Sequence, residues 1–483
     1  MLNLTNTLLL LSVPVLWMGL VQLCFGLLSR WVFGDELMAA FLESALPMLL
    51  APLLLVGSAR KKRLAAVSYR DALLFATLTW VVSGILGAIP IMRILGVSFT
   101  DAVFESTSAL TTTGATILIG LDGMPPTFLL YRQFLQWMGG LGVVIFVVAV
   151  LPMLNVGGMR LLRAETPGPV KDEKLSPRIA HTSHYLWLVY VLITVLCTLA
   201  FYWGGMSFYD AVAHSFTAVS TGGFSTHDSS MWFYQSHLLL ALSNVFMLLG
   251  AISFALHFGF LRTGKLSVYW RNEEARVFLL AVLLLSLLLA GWLVVMGRYD
   301  VGEALSFALF HVASFITSTG FGAADLSSWP AGTDLFLVTV AYLGGCAGST
   351  AGGNKIIRDI VVFKMFQRQL RQLLHPRAAI PIHYNGAVVD SAVRNAVMAF
   401  LFFAAVTGVV FTMLLMLTGL DVWTAFTAVA ACINVLGPGF GEVGSNFQPV
   451  SDAGTWLLSA AMIIGRLEYL TVFALLLPAF WRY

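Results

Sequence analysis

Four short glycine-centred segments recur along the chain: TTTGAT at Thr111 to Thr116, STGGFS at Ser220 to Ser225, TSTGFG at Thr317 to Gly322 and NVLGPGFG at Asn434 to Gly441. With Gly114, Gly223, Gly320 and Gly437 as matched positions, the spacings are 109, 97 and 117 residues, one segment per unit of repeat size. The chain around them is rich in apolar runs such as Leu8 to Leu28, Ala72 to Met92 and Ala396 to Leu417, which reach the roughly 20 residues that a bilayer-crossing helix needs. Polar, irregular backbone at membrane depth is tolerable only where protein or a water-filled cavity satisfies it. Four such segments call for one shared cavity, so a single chain would supply its own four-part ring.

Composition removes the soluble alternatives. Charged residues make up 11% of the chain and mean hydropathy is +0.87, against roughly 25% charged in ordinary soluble domains. Of the 27 Lys and Arg, 21 fall in Arg60 to Arg63 with Arg70, in Arg160 to Arg178, in Arg262 to Arg276, in Arg358 to Arg394, and at Arg482. The bias of basic residues toward cytosolic loops then puts both termini in the cytosol. Arg30, Arg93, Arg132 and Arg298 are assigned to loops on the opposite side. No basic run precedes the first apolar stretch, which reads as a membrane helix rather than a cleaved signal. Cys24, Cys197, Cys346 and Cys432 are widely separated and read as small buried thiols.

The expected fold is an all-α polytopic membrane protein with an N-terminal helix hairpin and four helix–pore loop–helix repeats around a central pore. The hairpin takes residues 1–65 and the repeats take 66–160, 161–265, 266–380 and 381–483, the third with an intramembrane gate loop. Outward helices are expected near 72–92, 186–204, 277–297 and 396–417, and returning helices near 128–151, 237–260, 334–365 and 455–480. Between each pair lies a segment too short to cross, beginning at Asp101, Asp210, Glu303 or Asp421. The acid is read as the first-turn cap. A half-crossing helix so oriented aims its partially negative C-terminus at the membrane centre, where it favours a cation.

Glycine permits the left-handed dihedrals that let successive carbonyls turn inward and replace water around an alkali cation. The candidate potassium-filter residues are Thr112, Thr113 and Gly114, then Thr221, Gly222 and Gly223, then Ser318, Thr319 and Gly320, and finally Asn434, Val435, Leu436 and Gly437. In the second loop Gly222 and Gly223 both fit the register. One such motif alone reads as an ordinary glycine turn; the aligned set of four carries the filter reading. Oxygen donors without a carboxylate cage suit passage of a monovalent ion better than retention of a divalent one. Nine residues before the first three glycines stand Glu105, His214 and His311, expected to hydrogen-bond or pack behind the loops rather than to ligate, since neither histidine has a partner at metal-ligand spacing.

A second constellation, LGGCAGSTAGGNK from Leu343 to Lys355, interrupts the third returning helix. Its glycines disfavour helix and leave a polar break at depth. Gly345, Gly348, Ser349, Thr350, Gly352, Gly353 and Lys355 are therefore candidate gate residues, with close packing through small residues as the competing reading. A phosphate loop is excluded, because Asn354 stands where its lysine belongs and Ile356 follows Lys355. Arg466 joins the gate set: it lies 11 residues after Thr455 in the last returning run, where a central Arg costs on the order of 2.5 to 3.5 kcal/mol. Its expected partner is the carbonyl-rich break at Ala347 to Gly353; the alternative is an ion pair with Glu468. No nucleophile–base pair or H-E-x-x-H motif supports an enzyme.

Together TTTGAT, GGFSTHD at Gly222 to Asp228, STGFG at Ser318 to Gly322, GGCAGST from Gly344, NVLGPG at Asn434 to Gly439 and Arg466 resemble the Trk/Ktr/HKT superfamily of cation transport proteins, and most its bacterial Trk-type potassium uptake subunits. The resemblance covers essentially the whole chain. It implies K+ as the transported ion, residence in the bacterial inner membrane, homodimerisation, and control by a cytosolic nucleotide-binding ring protein, with no nucleotide on this chain and no nucleic-acid partner. It also implies that glycine in all four filter positions goes with potassium passage; a sodium-permeable or ion-coupled symporter of the same fold is the alternative. Ala351, Asn354 and Leu436 depart from the family pattern. The stretch Lys364 to Arg377 interleaves basic and apolar residues, as on a helix lying against a partner or anionic lipid.

Overall fold

The computed structural model describes residues 4–59, 68–145 and 175–482. The basic clusters at Arg60 to Arg63 and at Arg160 to Lys174 lie outside the described residues, as do the first two repeat boundaries and the end of the first returning helix. Among the described residues, the regular secondary structure is helical apart from a short β-hairpin pairing His383–Tyr384 with Ala387–Val388. Among the described residues five helices are long and apolar enough to cross a membrane, and seven if each of two bent helix pairs counts as one span.

The N-terminal helix Leu4–Leu28 runs into a π turn, Ser29–Phe33, that Gly34 closes in left-handed conformation before Met38–Ala59 returns. Edge-to-face contacts of Phe25 and Phe41 with Tyr131 fasten this hairpin to the first returning helix, a geometry worth about 0.5 to 1.5 kcal/mol per ring pair beyond area burial. The outward helices follow at Tyr69–Leu95, Leu175–Trp203, Glu273–Val295 and Ser391–Met416. Short half-helices come next in each unit, at Phe99–Thr111, Phe208–Val219, Val301–Ile316 and Val422–Ile433. These short helices are strongly enclosed; all ten residues from Ala102 to Thr111 are buried. The outward helices instead present Leu283, Leu284, Leu287 and Leu288, or Phe402, Val409 and Met413, to the surroundings, as lipid-facing helices should. One core joins the second and third units, and another joins the hairpin with the first and fourth.

Three expectations are corrected. The acids at Asp101, Asp210 and Glu303 do not cap their helices: the side chains of Ser98, Ser207 and Asp300 accept their backbone N–H groups, and only Asp421 is itself the cap. A capping oxygen reaches the N–H two or three residues onward, so the residue before the apparent start does the work and the acid occupies the third helical position. The returning helices of units two and four are not continuous. His237–Ala251 gives way to Phe254–Thr263 with a bend of 100°, and Asp452–Leu467 to Tyr469–Leu476 with a bend of 114° at Glu468, whose φ is 62°. The third is split, as its sequence led one to expect, into Thr333–Ala341 and Ile356–Leu374 by the glycine-rich stretch. Finally, Cys197, Cys346 and Cys432 are buried, but Cys24 is exposed on the hairpin.

Candidate functional site

The four loops repeat one backbone pattern. Two residues before each matched glycine the chain turns left-handed, at Thr112, Thr221, Ser318 and Val435 with φ of 59°, 54°, 55° and 57°. The glycines follow at 82°, 77°, 81° and 97° for Gly114, Gly223, Gly320 and Gly437. Between them the amides of Thr113, Gly222, Thr319 and Leu436 each donate to the carbonyl five residues back, on Ser108, Thr217, Ser314 and Ala431, at 2.9, 2.8, 2.8 and 2.8 Å. Gly223 therefore takes the matched position in the second loop, and Gly222 the place held elsewhere by Thr113, Thr319 and Leu436.

These loops meet in a closed ring. A Cβ built on Gly114 would stand 2.1 Å from the Gly222 carbonyl oxygen; one on Gly223, 1.9 Å from that of Thr319; one on Gly320, 2.0 Å from that of Leu436; and one on Gly437, 2.6 Å from that of Thr113. Each contact runs from one loop to the next and the fourth returns to the first. Both space and dihedral demand glycine at all four corners. Leu436, the chemically unlike member, is buried and offers the ring only the backbone oxygen that its counterparts offer.

Each half-helix braces the strand that climbs away from its loop. Glu105 accepts from Thr116 Oγ1 at 3.0 Å and from the Ile117 amide at 3.3 Å. His214 Nε2 lies 2.9 Å from Ser225 Oγ, His311 Nε2 accepts from the Ala323 amide at 3.4 Å, and in unit four Thr427 Oγ1 accepts from the Phe440 amide at 3.1 Å. The first brace carries charge. Arg132, assigned above to an outer loop, lies instead inside the helix Pro126–Ile145, where it ion-pairs with Glu105 and stacks 4.1 Å over the Phe224 ring of the second loop.

The glycine-rich stretch packs against the ring on the side where the half-helices end. Gly352 N donates to Ser318 Oγ at 2.6 Å, and Gly353 and Gly352 abut Asn434 and Val435. Thr350 Oγ1 lies 3.0 Å from the Val219 carbonyl oxygen and 2.9 Å from that of Gly250, while Ser349 Oγ donates to the Cys346 carbonyl. The amides of Cys346 and Thr350 donate to the carbonyls of Ala251 and Gly250, where the second returning helix breaks. A left-handed Gly348 lies against Ser253, Gly345 against Ala251, and Lys355 Nζ reaches back to the Ala351 carbonyl. Arg466 Nη1 donates to the Thr350 carbonyl at 2.9 Å. Glu468, its alternative partner, pairs with Arg358 instead at 2.6 Å.

A family model described as TrkH, cation transport protein, matches residues 38–483. The chain belongs to the TrkH family. Among curated relatives, the Trk system potassium uptake protein TrkH of Vibrio parahaemolyticus is 43% identical over 418 residues, 86% of each chain. TrkH of Escherichia coli K12 is 41% identical over 427 residues, 87% of this chain and 88% of that one. TrkG of the same organism is 37% identical over 415 residues, 86% of each. The crystal structure of the potassium transporter TrkH from Vibrio parahaemolyticus superposes with a TM-score of 0.91 at 36% identity, covering both chains completely. The chain thus has the all-α polytopic fold of the TrkH family.

Three residues of this TrkH-family chain that matter to the site escaped the sequence reading. Arg132 holds the first brace; Gln136 is fully buried and touches the second loop; Glu274 Oε1 accepts from the amides of Ala347 and Ile357 at 2.8 and 3.2 Å, clasping the glycine-rich stretch near both ends. Arg132 and Gln136 lie within the apolar helix Pro126–Ile145, where such residues are costly unless partnered; Glu274 lies among the charges of Arg271 to Arg276 and carries no such signal. Outside the ring, His227 bridges the first two units, with Nδ1 2.5 Å from Asp122 Oδ1 and Nε2 3.7 Å from Asp210 Oδ1.

Proposed function

We propose that the chain takes up potassium through the ring of four loops, conducting the ion down its electrochemical gradient in a bacterial inner membrane with both termini in the cytosol. The single observation that carries this reading is the cyclic contact of matched glycines with the carbonyl of the neighbouring loop, which brings one peptide oxygen from each quarter of the chain to a common level. Backbone oxygens so gathered can replace the hydration shell of an alkali cation, and four helix C-termini add partial negative charge. The curated relatives are named as potassium uptake proteins, which supports K+ as the cargo. Thr112, Thr113, Gly114 and their counterparts in the other three loops are then the filter.

The stretch from Gly345 to Lys355 serves as the gate, held shut by the bond from Arg466 to Thr350; a cation crossing there must pass a guanidinium that no carboxylate neutralises in the described contacts. The helix Ile356–Leu374 exposes Phe363, Phe366 and Leu370 beside Lys364, Arg368 and Arg371, a surface suited to a cytosolic nucleotide-binding ring protein or to anionic lipid. A homodimer is the proposed assembly.

The test is cation flux into liposomes. Purified protein should pass K+ in preference to Na+, with a current reversing at the potassium equilibrium potential. Gly114→Ser forces a side chain against the Gly222 carbonyl at a left-handed φ and should lower the K+/Na+ permeability ratio by about tenfold, the equivalent of about 1.4 kcal/mol. An unchanged ratio in that variant would remove the ring from the ion path.

A further inference from the structure

The ring is four-fold in backbone but not in side chains, and the exception is localised. At the position before each matched glycine three loops carry a side chain, Thr113, Thr319 and Leu436, while the second carries Gly222. Two consecutive glycines, Gly222 and Gly223, leave that quarter with the greatest backbone freedom in a structure whose oxygens must hold position. The space a side chain would fill at Gly222 is taken by another residue: a Cβ there would lie 2.5 Å from both Cδ and Oε1 of Gln136.

Gln136 also makes the bonds that a missing restraint would require. Its Nε2 donates to the Gly222 carbonyl at 2.6 Å and its Oε1 accepts from the Phe224 amide at 3.1 Å, so one amide grips the peptide groups on both sides of Gly223. Among the described residues no donor is found on the corresponding carbonyls of Thr113, Thr319 or Leu436. A carbonyl has two lone pairs; one taken sideways by an amide leaves the other free to face the axis, so the grip orients this oxygen without removing it from the ring.

Among the described residues, units two and four carry no such amide at the equivalent position. Gly139, Gly250 and Gly465 occupy equivalent places on their returning helices, since a Cβ on each would strike the carbonyl oxygen four residues before a matched glycine, that of Leu110, Val219 or Ile433, at 1.8, 2.8 or 2.1 Å. Three residues earlier stand Gln136, Met247 and Met462, all fully buried. An amide is costly to bury unless both its ends are paired, whereas units two and four bury an apolar methionine at this place.

We infer that Gln136 is a positioning residue for ion selectivity, acting as the restraint that the second loop lacks at Gly222. The inference rests on reading the ring as the ion filter. Gln136→Met gives unit one the residue of units two and four and removes both bonds. It should lower the K+/Na+ permeability ratio about fivefold, the equilibrium effect of losing one net hydrogen bond, that to the Gly222 carbonyl of the ring, while K+ conductance and the gel-filtration profile stay near wild type. Gln136→Ala with Gly222→Thr builds the second loop in the manner of the first and third, and should recover most of the lost selectivity.

Liposome flux with K+ against Na+, run beside Gly114→Ser, separates the outcomes. If Gly114→Ser changes the ratio and Gln136→Met does not, the inference falls and the filter reading stands; if Gly114→Ser leaves the ratio unchanged, both fall. Should Gln136→Met not yield folded protein, Q136A/G222T decides: wild-type selectivity supports the restraint, and selectivity as poor as that of Gly114→Ser overturns it.

Discussion

Arg132 and Glu105 are both almost completely enclosed, and their contact reaches two loops at once through Thr116 and the ring of Phe224. Removing one member of such a pair leaves an uncompensated buried charge, which costs about 3 to 5 kcal/mol. Arg132→Ala should therefore lower the unfolding temperature in detergent and abolish selective uptake, whereas Arg132→Met with Glu105→Gln should restore much of the stability. Thermal denaturation of the three variants tests this, and an R132A protein as stable as wild type would contradict it. At this scale the sequence showed the glycines clearly, because only glycine answers a positive φ and a carbonyl 2 Å away, and the four-fold recurrence exposed them. It hid Arg132 among outer-loop charges and passed over Gln136, since a polar residue inside an apolar run acquires meaning only once its neighbour across the fold is known.

Among elements, the glycine-rich stretch of unit three is defined by what other units lend it. Its amides use carbonyls freed by the break in the second returning helix, and Glu274 from the third outward helix holds the amides of Ala347 and Ile357. Glu274→Ala leaves two buried N–H groups without that acceptor, at about 1 to 3 kcal/mol each. The loosened stretch should raise basal K+ flux severalfold without altering the K+/Na+ ratio, a combination read in one liposome assay; lowered flux or a shifted ratio would place Glu274 elsewhere in the mechanism. The density of glycine made this break legible. The breaks in units two and four were not, because Ile252, Ser253 and Glu468 carry no helix-breaking signature, and the returning chain turns there to satisfy partners on distant elements, Ala251 with Cys346 and Glu468 with Arg358.

Across the whole molecule, the first two units are tied by His227 as well as at the ring. Burial disfavours the charged imidazole, but hydrogen bonds to Asp210 and Asp122 and their negative charges outweigh it, so its pKa is raised; Phe233 stacks on its other face at 3.5 Å. The hydrogen bond from His227 lowers the pKa of Asp122 in turn. A raised histidine contributes stability that is complete below its ordinary pKa and is lost as pH rises through the folded value. A lowered carboxylate contributes above its ordinary range and loses that contribution as pH falls through the folded value. Thermal stability should thus peak in mild acid and decline toward alkaline pH. His227→Gln should flatten the alkaline decline, and an unaltered pH profile in that variant would show the bridge to be energetically silent.

The return of the fourth loop to the first has a consequence for biogenesis. Gly437 finds its wall in Thr113, 324 residues earlier in the sequence, so the enclosure has an open side until the fourth loop is in place. If the ring is the ion path proposed above, a nascent polypeptide released before that point presents a gap rather than a sealed passage.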